Sequence, residues 1–284
     1  MCCTFTPSKM ANTKIYVGEA EKNGKTVHVL AYQNNAESSG PNAMVIPFPT
    51  NVAMTQDNVI DTSEFKNFLE NITNASKMVT KGFSRGSRGM DFLGASFNDA
   101  DLAEVFDVGS YTVVLAEHVN QIPEALGRVP KNKRPNVSTD FLIGYAELYP
   151  DQPIAVCCWD GNIEAEPLMW WYEPTDRTKL FIPTMDAHDG RAPQVGRKVD
   201  TDHLISVGAV GPTTGYKVNY KDKIPAEVFD LLPTHANGHR LPEYVVNDDC
   251  FVKTADLHGD GDKFSRPAIR ITRGSYTSVV DYWT

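Results

Sequence analysis

What this chain lacks narrows its class before anything it contains. It has no long apolar run. Apolar stretches such as Leu168-Met169-Trp170-Trp171-Tyr172 are only a few residues long, whereas a membrane-spanning helix needs about 20 residues. The opening Met1-Cys2-Cys3-Thr4-Phe5 has no basic segment followed by an apolar one, so no secretory signal is expected. Cysteine is scarce. The five are Cys2, Cys3, Cys157, Cys158 and Cys250, an odd count with two adjacent pairs. That is a poor disulfide framework, and it points to a reducing, cytoplasmic compartment. Positive charge is also short: 27 Lys and Arg against 36 Asp and Glu leave a net charge of −9. Phosphate backbones are held by clustered cations that release counterions, so neither nucleic acid nor a membrane surface is expected as a partner. Two basic clusters, Lys77/Lys81/Arg85/Arg88 and Arg128/Lys131/Lys133/Arg134, lie among Gly, Ser and Pro and read as solvated loops. GxxxxGK[ST], GxGxxG, HExxH and CxxC are all missing. No nucleotide or organic cofactor is therefore predicted.

What is present is mostly strand. The 284 residues suffice for one large core without disulfides or a structural metal, and 1–284 reads as a single α+β domain. Segments rich in β-branched and aromatic residues, bounded by Gly, Pro, Asn or Asp, recur along the chain. Residues 13–20 and 26–33 flank Asn23-Gly24, a type I′ hairpin signal. Residues 43–48 run into Pro47 and Pro49, where a strand must end or lie at an edge. Further strands are expected at 110–118, 154–159, 166–172, 179–183, 203–210, 216–220, 241–246, 251–255, 268–272 and 276–283. Asp61 with Glu64 resembles a capping box, opening a helix with Phe65, Phe68, Leu69 and Ile72 on one face. A short helix is expected at 99–106. Ser138 and Thr139 can cap another helix bearing Phe141, Leu142, Tyr145 and Leu148. Residues 80–98 read as a long Gly/Ser/Arg-rich loop, and a sub-domain break is expected near 128–136. Most gaps between strands are too short for a crossover helix, so the fold class is α+β, predominantly antiparallel β with a few short helices.

Two resemblances follow from particular residues. Asn42-Ala-Met-Val-Ile-Pro-Phe-Pro49, followed by Gly109-Ser-Tyr-Thr-Val-Val-Leu-Ala116, Pro167-Leu-Met-Trp-Trp171 and Phe181-Ile-Pro183, resembles an uncharacterised bacterial domain-of-unknown-function family over residues 13–190. That likeness implies a shared β-rich fold and no activity. Met1-Cys2 followed by polar residues and a strand is similar to the opening of choloylglycine hydrolases and penicillin V acylases. It implies that, once Met1 is removed, Cys2 supplies a thiolate nucleophile and an α-amine base. Those families place an arginine and an aspartate soon after the first strand, whereas the first arginine here is Arg85.

Several residue groups can carry chemistry. Asp186-Ala-His188-Asp189-Gly190, with Asp200, Asp202 and His203 shortly after, puts acids and imidazoles on a loop held by two strands. Asp186, His188 and His203 form a candidate divalent-metal set. His188 with Asp189 or Asp202 forms a candidate carboxylate–imidazole pair for general base catalysis, and His203 adds a second imidazole. Thr234-His235-Ala-Asn-Gly238-His239 reads as an exposed turn. Asp256-Leu-His258-Gly-Asp260-Gly-Asp262 alternates acids as calcium loops do, but the twelfth position is Pro267 rather than Glu. Cys157-Cys158 reads as buried and structural. Trp170, Trp171 and Tyr172 offer a binding strand face. Two functions stay open: a cytoplasmic protein acting through a protein partner or as a homo-oligomer, and a hydrolase of linear amides using Cys2 with His188, Asp189 and Asp202.

Overall fold

The computed structural model describes residues 2–76, 103–210, 215–257 and 272–273. The strands in chain order are β1 Cys2–Thr4, β2 Ser8–Lys22, β3 Lys25–Ser38, β4 Asn42–Pro47, β5 Val59–Ile60, β6 Glu104–Val108, β7 Tyr111–Ala116, β8 Ile154–Trp159, β9 Ile163–Glu164 and β10 Leu168–Tyr172. There follow β11 Lys179–Ile182, β12 Asp186–Ala187, β13 Lys198–Asp200, β14 Leu204–Ala209, β15 Tyr216–Lys217, β16 His235–Arg240, β17 Tyr244–Val246, β18 Cys250–Lys253 and β19 Thr272–Arg273. The α-helices are α1 Phe68–Ala75, α2 Ile122–Leu126, α3 Thr139–Leu148 and α4 Ala226–Phe229. The fold is α+β with β predominant.

Two sheets dominate. Among the described residues, one has six strands in the order β12-β1-β4-β8-β7-β6; the other has eight, running β15-β16-β14-β2-β3-β10-β5 with β9 paired to β3. Most pairs are antiparallel, but β1–β12 and β2–β14 are parallel. Alternation of side chains across each strand explains how the layers stack. Met44, Ile46, Val113, Leu115, Cys157 and Trp159 of the first sheet meet Ile15, Val17, Leu30, Tyr32, Trp170 and Tyr172 of the second in one core. The intervening residues Val45, Val114, Val156 and Cys158 face outward against α2 and α3. On the far side Tyr16, Val27, Val29 and Ala31 face α1 and α4. The layers are thus helix, sheet, sheet, helix. This is why β4, β7 and β8 are buried at every position and read as continuous apolar runs rather than alternating ones.

Local signals hold where the chain itself supplies the energy. Asn23 and Gly24 both have positive φ, 54° and 74°, at the tip of the β2–β3 hairpin. The Ser138 hydroxyl accepts a hydrogen bond from the Phe141 amide at 3.1 Å and caps α3. β4 ends at Pro47 while lying between β1 and β8.

Other expectations are corrected. The first helix begins at Phe68, not Asp61; the Asp61 carboxylate instead accepts from the Ser63 amide in a turn. Phe65, Phe68, Leu69 and Ile72 are nevertheless all buried against the second sheet, as their spacing predicts. Residues 104–108 form β6 rather than the end of a helix, because they pair along their length with β7. Residues 235–240 form β16 and pair with β14 through Asn237 and Gly238, so no turn forms there. The expected 80–98 loop, the Lys77/Arg88 cluster, the His258–Asp262 acids and most of the two last strands lie outside the described residues. Along 128–136, Lys133 Nζ donates to Ser110 O at 3.1 Å and Arg134 Nε to Val129 O at 3.0 Å, tying this connector to its neighbours. Among the described residues no helix is long and apolar enough to cross a membrane.

Candidate functional site

The chain's opening segment is built into the fold rather than left at its surface. β1 lies between β4 and β12, although chain termini are ordinarily poorly ordered unless tied down. Several contacts tie this one. Cys3 pairs with Val45 and Thr4 with Met44. The Asn42 side chain accepts from the Thr6 amide at 3.1 Å and donates to Thr6 O at 2.9 Å. The Ser8 amide donates to His188 O at 3.0 Å, and Pro7 bridges to Asp189. Gly190 has φ +77°, and a Cβ there would lie 2.9 Å from Phe5 O. Only glycine combines that left-handed backbone with so close an approach. The glycine of the Asp186–Gly190 motif therefore exists to let this loop dock on the N-terminal segment.

The parallel register sets Cys2 opposite Asp186 and Cys3 opposite Ala187. Asp186 is buried, and its Oδ1 lies 2.5 Å from His188 Nε2, an ion pair when the imidazole is protonated. His188 is part-exposed, at 31% of its side chain, so the pair has one dry and one wet partner. It opens into a cavity of about 370 Å³ lined by Asp186, His188, Asp189, Arg191, Arg197 and Asn247, among others. Cations and carboxylates are mixed there, which suits a polar ligand better than a purely apolar one.

The candidate residues fall into separate places. Asp186, His188 and Asp189 share the cavity at the β12 edge, where the backbone pairing sets Cys2 opposite Asp186. The carboxylate that holds His188 is Asp186, however, not Asp189 or Asp202. Asp189 is exposed and its Oδ1 accepts from the Arg191 amide at 3.1 Å. Asp202 does not line the cavity; its carboxylate accepts from the Asn12 amide, where β2 bulges and Asn12 takes φ 57°. His203 is buried just before β14, with its amide donating to Thr201 Oγ1 at 3.2 Å. The candidate metal set Asp186, His188 and His203 is therefore not assembled. Among the described residues no three His, Cys, Asp or Glu side chains are placed to hold a metal ion.

The aromatic strand divides by face. Trp170 and Tyr172 are buried between the sheets, where Phe48 meets them at ring distances of 5.2 and 5.6 Å. Only Trp171 turns outward, with Lys22 Nζ 5.1 Å from its ring centre and its indole N–H donating to Asp57 O at 3.0 Å. Cys157 and Cys158 are buried as expected, and burial pushes the Cys158 thiol up to about 12.

Sequence reasoning overlooked Asn247 and Asp249. Both are buried polar residues hydrogen-bonded to the backbone just before and at Asp186. Their only local signature is the polar triplet Asn247-Asp248-Asp249 between two strands, which reads as an ordinary turn.

No family model, curated protein or solved structure matches this chain.

Proposed function

We propose that this protein is a hydrolase of linear amides with Cys2 as its nucleophile and the Asp186–His188 pair as its supporting acid–base group. The observation that carries the reading is the register of β1 on β12, which sets Cys2 directly across from Asp186. Removal of Met1 leaves an α-amine beside the Cys2 thiol, and such an amine titrates near neutrality. The amine takes the thiol proton as sulfur bonds to the amide carbonyl carbon and the carbonyl π pair moves to oxygen. Protonated His188, oriented by Asp186, gives its proton to the leaving nitrogen as the C–N bond breaks. Neutral His188 then takes a proton from water. The hydroxide adds to the thioester, the C–S bond breaks, and the thiolate recovers its proton from the α-ammonium group. The products are one carboxylic acid and one amine, and the enzyme returns to its starting state.

The binding or self-association reading has less support, because Trp170 and Tyr172 are spent inside the core. The deciding experiment uses untagged protein, intact mass and a panel of chromogenic N-acyl anilides. The expected result is loss of Met1, hydrolysis by the native protein, and a fall on the order of 10³-fold or more in Cys2→Ala with an unchanged circular dichroism spectrum. Full activity in a protein that keeps Met1, or in Cys2→Ala, overturns the reading.

A further inference from the structure

Ordinary strand pairing leaves a gap immediately before Asp186. The β11–β18 ladder ends at Ile182 opposite Cys250, and the β1–β12 ladder starts at Asp186. The three amides of Thr184, Met185 and Asp186 lie between or at these ends, in a buried stretch where each needs a partner. All three are taken by side chains of one triplet. Asp249 Oδ1 accepts from the Thr184 and Met185 amides, both at 2.9 Å. Asn247 Oδ1 accepts from the Asp186 amide at 2.7 Å, and its Nδ2 donates back to Asp186 O at 2.7 Å and to Gln194 O at 3.1 Å. The second oxygen of Asp249 accepts from the Tyr149 hydroxyl at 2.6 Å, which links the clamp to the C-terminal end of α3. Burying a carboxylate is costly, and desolvation pushes Asp249 up to about 6. An apolar residue would remove that cost but leave two amides and a hydroxyl without partners, which is the dearer outcome.

We propose that Asn247 and Asp249 are positioning residues of the hydrolytic site: they set the Asp186–His188 pair against β1 and so govern the reactivity of Cys2. The inference rests on the hydrolase reading above. Asn247 reaches the pair through Asp186 itself, and Asp249 through the two residues before it. Neither is assigned contact with substrate.

The test is the rate of Cys2 alkylation by iodoacetamide as a function of pH, read by mass spectrometry on the whole protein. A thiol beside a protonated imidazole alkylates with an inflection below the ordinary thiol value of about 8.5. In Asn247→Ala the inflection moves up by about one pH unit, and alkylation at neutral pH slows about tenfold. Asp249→Ala does the same. Asp249→Asn keeps the acceptor for both amides and stays within about twofold of native, while Asn247→Asp keeps one of three bonds and falls between; these two keep the test decisive should the alanine variants not fold. With the anilide panel, the alanine changes lower kcat with KM within about threefold. A folded Asn247→Ala or Asn247→Asp with the native profile overturns the positioning role while leaving the hydrolase reading intact. A native protein whose Cys2 alkylates like a free thiol overturns the hydrolase reading and the positioning role with it.

Discussion

Two buried ionisable residues pull stability in opposite directions as pH changes. Burial pushes Asp249 up to about 6 from an ordinary 3.8, and it pushes His28 down to about 4 from 6.5. Folded Asp249 binds its proton more tightly than the unfolded chain does. Its contribution therefore favours folding below about pH 4 and is gone above about pH 6. Folded His28 binds its proton more weakly, and neither ring nitrogen has a hydrogen-bond partner among the described residues. Its contribution is present above about pH 6.5 and lost as pH falls towards 4. Each shift is worth about 3 kcal/mol, so within the native protein the two nearly cancel. Asp249→Asn removes one side of the balance. We expect that variant to lose about 3 kcal/mol more than native between pH 6.5 and 4, as measured by urea unfolding at intervals across that range. Equal slopes for variant and native would show that Asp249 titrates as an ordinary carboxyl.

At the scale of elements, the difference between α1 and α3 shows when a local signal is decisive. Ser138 caps α3 because its hydroxyl reaches the Phe141 amide without help from elsewhere. Asp61 and Glu64 offer the same pattern for α1, yet the chain runs through turns until Phe68. There the Thr62 hydroxyl donates to Pro167 O at 2.7 Å, and the Asn67 amide and side chain both donate to the Asp222 carboxylate. Tertiary partners thus displaced a cap whose own worth is only about 1 kcal/mol. Ser138→Ala is accordingly expected to cost about 1 kcal/mol in denaturant unfolding, with activity against any substrate unchanged. The Asn237-Gly238 pair makes the same point from the other side. A dipeptide that favours a turn lies flat in β16, because β14 presents a full edge that β16 pairs at every position from Ala236 to Arg240.

For the molecule as a whole, the layering decides which thiols can react. Cys3 and Cys158 face the helices α2 and α3, Cys157 and Cys250 lie in the core between the sheets, and all four are buried. Cys2 is the nucleophile proposed above. Under native conditions a small alkylating reagent is expected to modify one cysteine, Cys2, and to reach all five only after unfolding. Rapid native modification of Cys157 or Cys158 would contradict the packing of β8 between its two layers.

Much of this architecture was legible from the chain alone. Hydrophobic period and turn chemistry act over a few residues, so the β2–β3 hairpin, the apolar runs of β4, β7 and β8, the α3 cap and the buried Cys157-Cys158 pair could be read directly. The loop bearing Asp186, His188 and Gly190 could be picked out by composition. What composition could not decide was the partner of each side chain. Asp186 rather than Asp189 holds His188, Asp202 serves a bulge in β2, His203 is buried away from the cavity, and Trp170 and Tyr172 fill the core. The parallel pairing of β1 with β12 joins residues more than 180 positions apart, and the Asn247–Asp249 clamp reaches back more than 60. Such contacts are set by how whole sheets stack and which backbone amides the stacking leaves unpaired. No local pattern encodes that, and so the tertiary structure alone decided where the chemistry of this protein could assemble.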